Sequence, residues 1–181
     1  YHLADTTTNT ELSLPLFNTI VKYAREHGIP QYIAKGLLKK YLIERNDLKR
    51  LDDSFRVGEE ITHYIDFLSR DEQTIYYFRM ALHAHNIQQY ERCIEYCEAG
   101  LKLKTAETEL TARAYLAMIN SFYWLGEYDA VESHLRVFER FDYEFVAYTA
   151  KFTCAIVKAR KKEYDVAVPM LKECLREISP D

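Results

Sequence analysis

The chain has 181 residues, 48% apolar, 29% charged and 14% aromatic, with five Gly and four Pro, a composition that excludes disordered, collagen-like and disulfide-scaffold chains and fits one folded domain. At this length a compact fold buries roughly two thirds of the surface its unfolded chain exposes, so a core needs no metal or disulfide support. The net charge of −4 comes without a dense Lys/Arg stripe, which excludes DNA contact by this segment, because phosphate neutralisation supplies most of that affinity.

In chain order, residues 1–12 read as a polar N-terminal segment. From residue 13 the apolar side chains recur every three or four residues, which predicts helices over 13–27, 31–46, 48–69, 71–86, 88–104, 107–125, 127–141, 144–161 and 163–178. Gly28 and Pro30 stop the first, Gly126 separates the sixth from the seventh, and Ser179-Pro180 closes the last. Turns this short imply antiparallel neighbours in an all-α chain. The most apolar run, Ala114 to Leu125, is too short to span a membrane and contains Asn120 and Ser121. The opening residues are polar and do not begin with Met, so the expectation is an excised portion of a longer cytoplasmic protein.

Three segments align on a tyrosine that opens a second helix: Gln89-Tyr90-Glu91-Arg92-Cys93-Ile94, Glu127-Tyr128-Asp129-Ala130-Val131-Glu132 and Glu163-Tyr164-Asp165-Val166-Ala167-Val168. Small or β-branched residues follow three positions on (Cys93, Val131, Ala167), and Cys97, Leu135 and Leu171 follow seven on, which keeps one packing stripe on one helix face. Upstream, Tyr77, Met80, Ala81 and Ala84 match Tyr115, Met118, Ile119 and Phe122. The pattern resembles the tetratricopeptide repeat, clearest at Leu125-Gly126-Glu127-Tyr128. It departs from that repeat where Gln88 and Lys162 replace the turn glycine and Cys93 and Val131 replace an alanine. The resemblance implies a tetratricopeptide-like α-solenoid of about four and a half repeats over 13–181. Its pairs fall at about 31–69, 71–104, 107–141 and 144–178, with residues 13–27 as the second helix of an incomplete pair. The tyrosine surplus, fifteen residues, is then partly explained: Tyr77, Tyr90, Tyr115, Tyr128 and Tyr164 are expected at packing positions.

The chemistry-bearing residues read as packing. Cys93, Cys97, Cys154 and Cys174 fall on small-residue offsets, so neither a metal site nor a disulfide is expected. His83 and His85 are two apart on different faces, His63 and His134 are expected as partly exposed outer residues, and nothing pairs with them as a nucleophile. No catalytic residues, enzymatic activity or cofactor are expected.

The resemblance also places a binding groove along the first helix of each pair. Its offsets give Phe78, Arg79, Leu82 and Asn86, then Arg113, Leu116, Asn120 and Tyr123, then Phe152, Ile156 and Arg160. His85, Ala117 and Trp124 occupy further groove offsets. An asparagine amide can satisfy a peptide unit through donor and acceptor together, and Asn120 interrupts an apolar helix where an unpaired amide is costly. Arg79, Arg113 and Arg160 are suited to a carboxylate, and the apolar members to side-chain pockets.

Divergent, long-period, Tyr-rich repeats of this kind, with Tyr-Glu-Arg-Cys-Ile-Glu-Tyr-Cys and Leu-Gly-Glu-Tyr-Asp-Ala between Gln73 and Asp181, resemble the intracellular peptide-pheromone receptors of Gram-positive bacteria. That group includes the Rap phosphatases and the neutral-protease and phospholipase regulators, and the neutral-protease regulator type is the expected one. The resemblance implies a sensor for a short signalling peptide, whose binding shifts the superhelix or its self-association. DNA would be reached only through an N-terminal module, and in the phosphatase type a response regulator would be the partner. A general interaction scaffold or adaptor is the alternative.

Overall fold

The computed structural model describes residues 10–103 and 106–178, and their regular elements are all helical. They are α1 (Thr10–Glu26), α2 (Pro30–Glu44), a 3-10 turn (Leu48–Arg50), α3 (Leu51–Ile61), a 3-10 segment (Thr62–Phe67), α4 (Arg70–Asn86), α5 (Tyr90–Leu103), α6 (Glu109–Trp124), α7 (Tyr128–Phe138), α8 (Glu144–Arg160) and α9 (Tyr164–Ile178). The expected all-α stack of helix pairs is present, an α-solenoid. The expected 1–12 segment lies largely outside the described residues.

Local chemistry sets the helix ends. Ser69 accepts from the Glu72 amide while Glu72 reaches back to the Ser69 amide, a reciprocal cap opening α4. Thr108 and Thr111 do the same for α6. Four helices end in one turn. The Ile29, Gln89, Glu127 and Glu163 amides donate back to the carbonyls of Ala24, Ala84, Phe122 and Lys158 at 2.8–2.9 Å, across a residue with positive φ: Gly28, Gln88, Gly126 and Lys162. Gln88 and Lys162 thus adopt the left-handed conformation of the glycine they replace, at φ 62° and 65°.

That fourfold turn regroups the N-terminal half. α1 packs along α2, with Gly36 so close that a Cβ there would lie 2.6 Å from Val21 Cγ2. The first pair is therefore α1 with α2, where 31–69 had been expected as a unit. The expected helix over 48–69 is also shorter. Asp47 caps the 3-10 turn by accepting from the Lys49 amide. At the other end the Gln73 side-chain amide donates to the carbonyls of Ile65 and Leu68, stabilising the tightened segment. α3 is lodged between α2 and α4, and Gly58 lies against Met80 Sδ and the Tyr41 ring.

The core runs the length of the stack. It includes Ala34, Leu37, Leu38, Tyr41, Phe55, Tyr76, Met80, Ala81, Cys93, Cys97, Met118, Ile119, Val131, Phe138 and Val157, all at most 3% exposed. The most buried tyrosines are Tyr41 and Tyr76; of the repeat tyrosines Tyr115 is buried, Tyr77 and Tyr128 pack against the core, and Tyr164 departs from the expected packing at 59% exposed. The Tyr76 hydroxyl donates to Gly58 O (3.1 Å) and lies 2.8 Å from Thr62 Oγ1, and burial holds it well above the ordinary phenol range. Arg25 pairs with Glu60 and Arg92 with Glu59, tying α1 and α5 to α3.

A left-handed residue with a Cβ costs about 1–2 kcal/mol, while glycine costs about 0.5–1 kcal/mol of extra chain entropy. Gln88→Gly and Lys162→Gly are therefore expected to stabilise the chain by about 0.5–1 kcal/mol each, and Gly126→Ala to destabilise it by about 1 kcal/mol. Urea unfolding with an unchanged slope checks both signs; destabilisation by the glycine substitutions would contradict the turn assignment.

Candidate functional site

α6 is buried on most of its circumference, through Ala112, Ala114, Tyr115, Ala117, Met118, Ile119 and Ser121. What emerges is one stripe, Arg113, Leu116, Asn120 and Tyr123, at helical spacing and partly or fully open to solvent. Asn120 is half-buried, and among the described residues its amide has no hydrogen-bond partner. Its neighbour Ser121 is satisfied: Ser121 Oγ donates to Ala117 O (2.8 Å) and accepts from His85 Nδ1 (3.0 Å).

α8 faces this stripe and packs less closely on α6 than α4 does. It is tied to α7 by a charged lattice between the C-terminal end of α8 and the outer helix α7, in which Lys158 meets Glu132 and Glu163, and Lys161 meets Asp129 and Glu132, at 2.8–3.0 Å. The lysines lower the Glu132 carboxyl below its ordinary value and are themselves raised by it. Two contacts bridge the α6 and α8 stripes. At one end the Arg113 guanidinium sits 4.9 Å over the Phe145 ring while Nε donates to Glu109 (2.7 Å). At the other, Arg160 Nε donates to the Tyr123 hydroxyl (2.9 Å) with the guanidinium over the same ring. A recess of about 500 Å³ opens at the Arg113 end, between Glu109, Tyr143, Glu144 and Phe145. Leu116 and Ile156 are half-buried, and Phe152 is 40% exposed and stacked on Tyr148 at 6.1 Å.

The predicted residues thus divide. Arg113, Leu116, Asn120, Tyr123, Phe152, Ile156 and Arg160 lie on α6 and α8 and keep accessible surface. Phe78 does not belong to the groove: it is 1% exposed and lies under Gly100, where a Cβ would come within 2.7 Å of its ring. Leu82 is half-buried against the core. Asn86 is exposed and borders a second cleft of about 450 Å³ with Leu48, Lys49, Arg50 and Gln88. Arg79 is half-buried near the C-terminal end of α2, away from the α6–α8 stripe. The groove offset at His85 is likewise a packing position, since His85 binds Ser121. Trp124 is 60% exposed and stacks on Tyr90 at 6.2 Å.

The remaining ionisable groups serve the interior. His83 Nε2 lies 3.0 Å from Leu51 O, which can only accept, so Nε2 carries the proton of the neutral ring and Nδ1 faces the Tyr41 hydroxyl at 3.2 Å. His134, expected as an outer residue, is half-buried, stacked on Phe122 at 5.1 Å and bonded to the Tyr115 hydroxyl at 2.8 Å. Burial pushes the Cys93 thiol up to about 11 and holds Cys97 well above the ordinary thiol value, the behaviour of packing residues rather than nucleophiles.

No protein-family profile matches the chain, and no curated protein matches it. Solved structures do. RapI in its apo form is 17% identical with a TM-score of 0.66, covering 95% of this chain and 50% of that one, so this chain spans half the length of RapI. MamA 41-end from Desulfovibrio magneticus RS-1 is 14% identical with a TM-score of 0.62, covering 90% and 93%. The nearly identical TPR-like repeats of a kinesin light chain from Podosopora anserina are 10% identical with a TM-score of 0.59, covering 97% and 100%. These likenesses establish the fold, a tetratricopeptide-like α-solenoid.

His83, His85 and His134 share a linkage consequence. Burial holds all three below the ordinary imidazole value of 6.5, so the unfolded chain takes up protons first as pH falls. Their contribution to stability is complete above pH 6.5 and is lost as pH drops below it. Urea unfolding from pH 8 to pH 5 is expected to show proton uptake on unfolding that starts near 6.5, above the window in which carboxylates such as Glu132 titrate. Stability that is flat across this range would contradict the burial of these rings.

Proposed function

We propose that this solenoid is a peptide sensor that holds a short signalling peptide along α6 and α8, and that it belongs to a regulator of the peptide-pheromone receptor type. The observation that carries the reading is Asn120: on a half-buried residue of α6, an amide that solvent reaches and that has no partner among the described residues. Such a group is destabilising unless it is satisfied, by water or by a ligand's peptide unit, and its paired donor and acceptor suit the latter. Leu116, Phe152 and Ile156 offer apolar surface beside it for side chains, and Arg113 and Arg160 offer guanidinium groups for an acidic one. The likeness to RapI over nearly the whole chain supports the reading.

Binding would act on the solenoid through the two bridges. α8 meets the α6 face through side chains, so a ligand that displaces Arg113 from Phe145 or Arg160 from Tyr123 changes how the last pair sits on the stack. That is a population shift driven by differential contacts. In this reading the chain performs no catalysis, works in the cytoplasm, and reaches DNA only through a module outside this segment.

Calorimetric titration with synthetic pheromone peptides of that receptor group tests the proposal. A cognate peptide is expected to bind, and Asn120→Ala to weaken it about tenfold or more, the loss of a hydrogen-bonded amide. Trp124 is the single tryptophan, and its emission is expected to shift on binding as the neighbouring Tyr123–Arg160 contact rearranges. Binding of equal affinity to Asn120→Ala would sink the role assigned to that residue.

A further inference from the structure

Among the described residues, the guanidinium groups of Arg45 and Arg79 at the other end of the stack have no hydrogen-bond or ion-pair partner. Arg45 closes α2 one turn beyond Tyr41, and the Tyr41 hydroxyl lies 3.1 Å from the Arg79 carbonyl on α4, which brings the two side chains into one neighbourhood. The Nε atoms of both arginines are buried and have no hydrogen-bond partner. Burial lowers Arg79 from its ordinary value, and the neighbouring Arg45 charge lowers it further. The carboxylates on the surrounding elements are engaged elsewhere: Glu44 faces Lys40 at 3.9 Å, Asp53 faces Arg50 at 3.5 Å, and Asp47 accepts from the Lys49 amide. The charges of Asp52 and Arg45 both act on His83, so Asp52 lies in the same neighbourhood without forming an ion pair with Arg45. Two like charges, partly desolvated and unpaired, oppose folding, and an orphaned buried donor adds to that cost.

We infer that Arg45 and Arg79 form an oxyanion-binding subsite at the α2–α4 junction. The guanidinium fork matches the geometry of a carboxylate or a phosphate, and two forks on separate helices can hold one such group from two directions. Further along α4, Asn86 is exposed without a partner, on the rim of the cleft that carries Lys49 and Arg50. The wider surroundings are polar and of mixed charge, since Asp52 and Asp53 line the same cleft as Lys49 and Arg50. A carboxylate at a peptide terminus and inorganic phosphate share the required chemistry. The subsite is separate from the α6–α8 stripe and does not rest on peptide binding there.

The arginine Nε–H resonances of the chain report on the subsite directly. Titration with inorganic phosphate is expected to shift the Arg45 and Arg79 signals saturably, where chloride at equal ionic strength does not. Arg45→Lys and Arg79→Lys keep the charge but lose the fork, and each is expected to weaken phosphate at least about tenfold. Having two variants on different helices keeps the test valid if one disturbs folding. N-acetyl-trialanine with a free C-terminus competing with phosphate, while its C-terminal amide does not, would assign the oxyanion to a peptide end. Phosphate binding without such competition would assign it to free phosphate, and either result upholds the subsite. Signals that fail to move, that move equally with chloride, or that respond unchanged in both lysine variants would overturn it.

Discussion

The close crossing of neighbouring helices is the constraint on which the rest of the molecule depends. Where helices cross, the sequence removes bulk: Gly36 lies under Val21, Gly58 under Met80 and Tyr41, and Gly100 under Phe78. Ala81, Ala84, Cys93 and Cys97 are fully buried between them. Interaxial distance follows the size of the side chains at the contact, so these residues set how near the helices stand. α4 and α6 stand close enough to pack directly, and Ser121 can then bond to His85 across the junction. α8 packs less closely on α6, and Arg113 and Arg160 reach across between them. The candidate groove lies where that spacing changes along the stack.

Much of the architecture was legible because the turn chemistry repeats. The Tyr-containing second helices and the fall of Gly and Pro locate α4 to α9 within a few residues, and the turns at Gln88 and Lys162 keep the glycine conformation even though the glycine is gone. The α1–α2 pair was hidden for a specific reason: Pro30 stands where the other pairs carry tyrosine, so the Gly28 turn did not align with the rest. The interruption of 48–69 was hidden too, since its 3-10 end is stabilised by Gln73 from the next helix, a tertiary contact that no local pattern announces.

The site was legible in part, and the misplacements share a cause. Groove offsets transfer when the repeat has its usual small residues, and here the second helix of the α4–α5 pair carries Gly100. That glycine opens a slot that draws Phe78 inward. On α6, where the repeat is most regular, the offsets place Asn120 and Tyr123 on the open face as expected. Arg45 carried no signal at all in the sequence, since it lies at a helix end outside every repeat offset and gains meaning only from its position relative to Arg79.

The tyrosine surplus shows how the interior and the surface are coupled. Tyr41, Tyr76 and Tyr96 fill the junction of α2, α3, α4 and α5; the Tyr76 hydroxyl donates to Gly58 O, and the Tyr41 hydroxyl is shared between Arg79 O and His83 Nδ1. Phenylalanine would fill the same volume and leave those bonds unmade, so tyrosine fixes the register of α3 and α4 as well as their spacing. Tyr123 uses its ring and hydroxyl in the same double way at the surface, but toward Arg160, an exposed partner whose contact solvent can replace. One residue type therefore makes permanent contacts where both partners are buried and exchangeable ones where they are not. The boundary between the two is the boundary of the candidate groove.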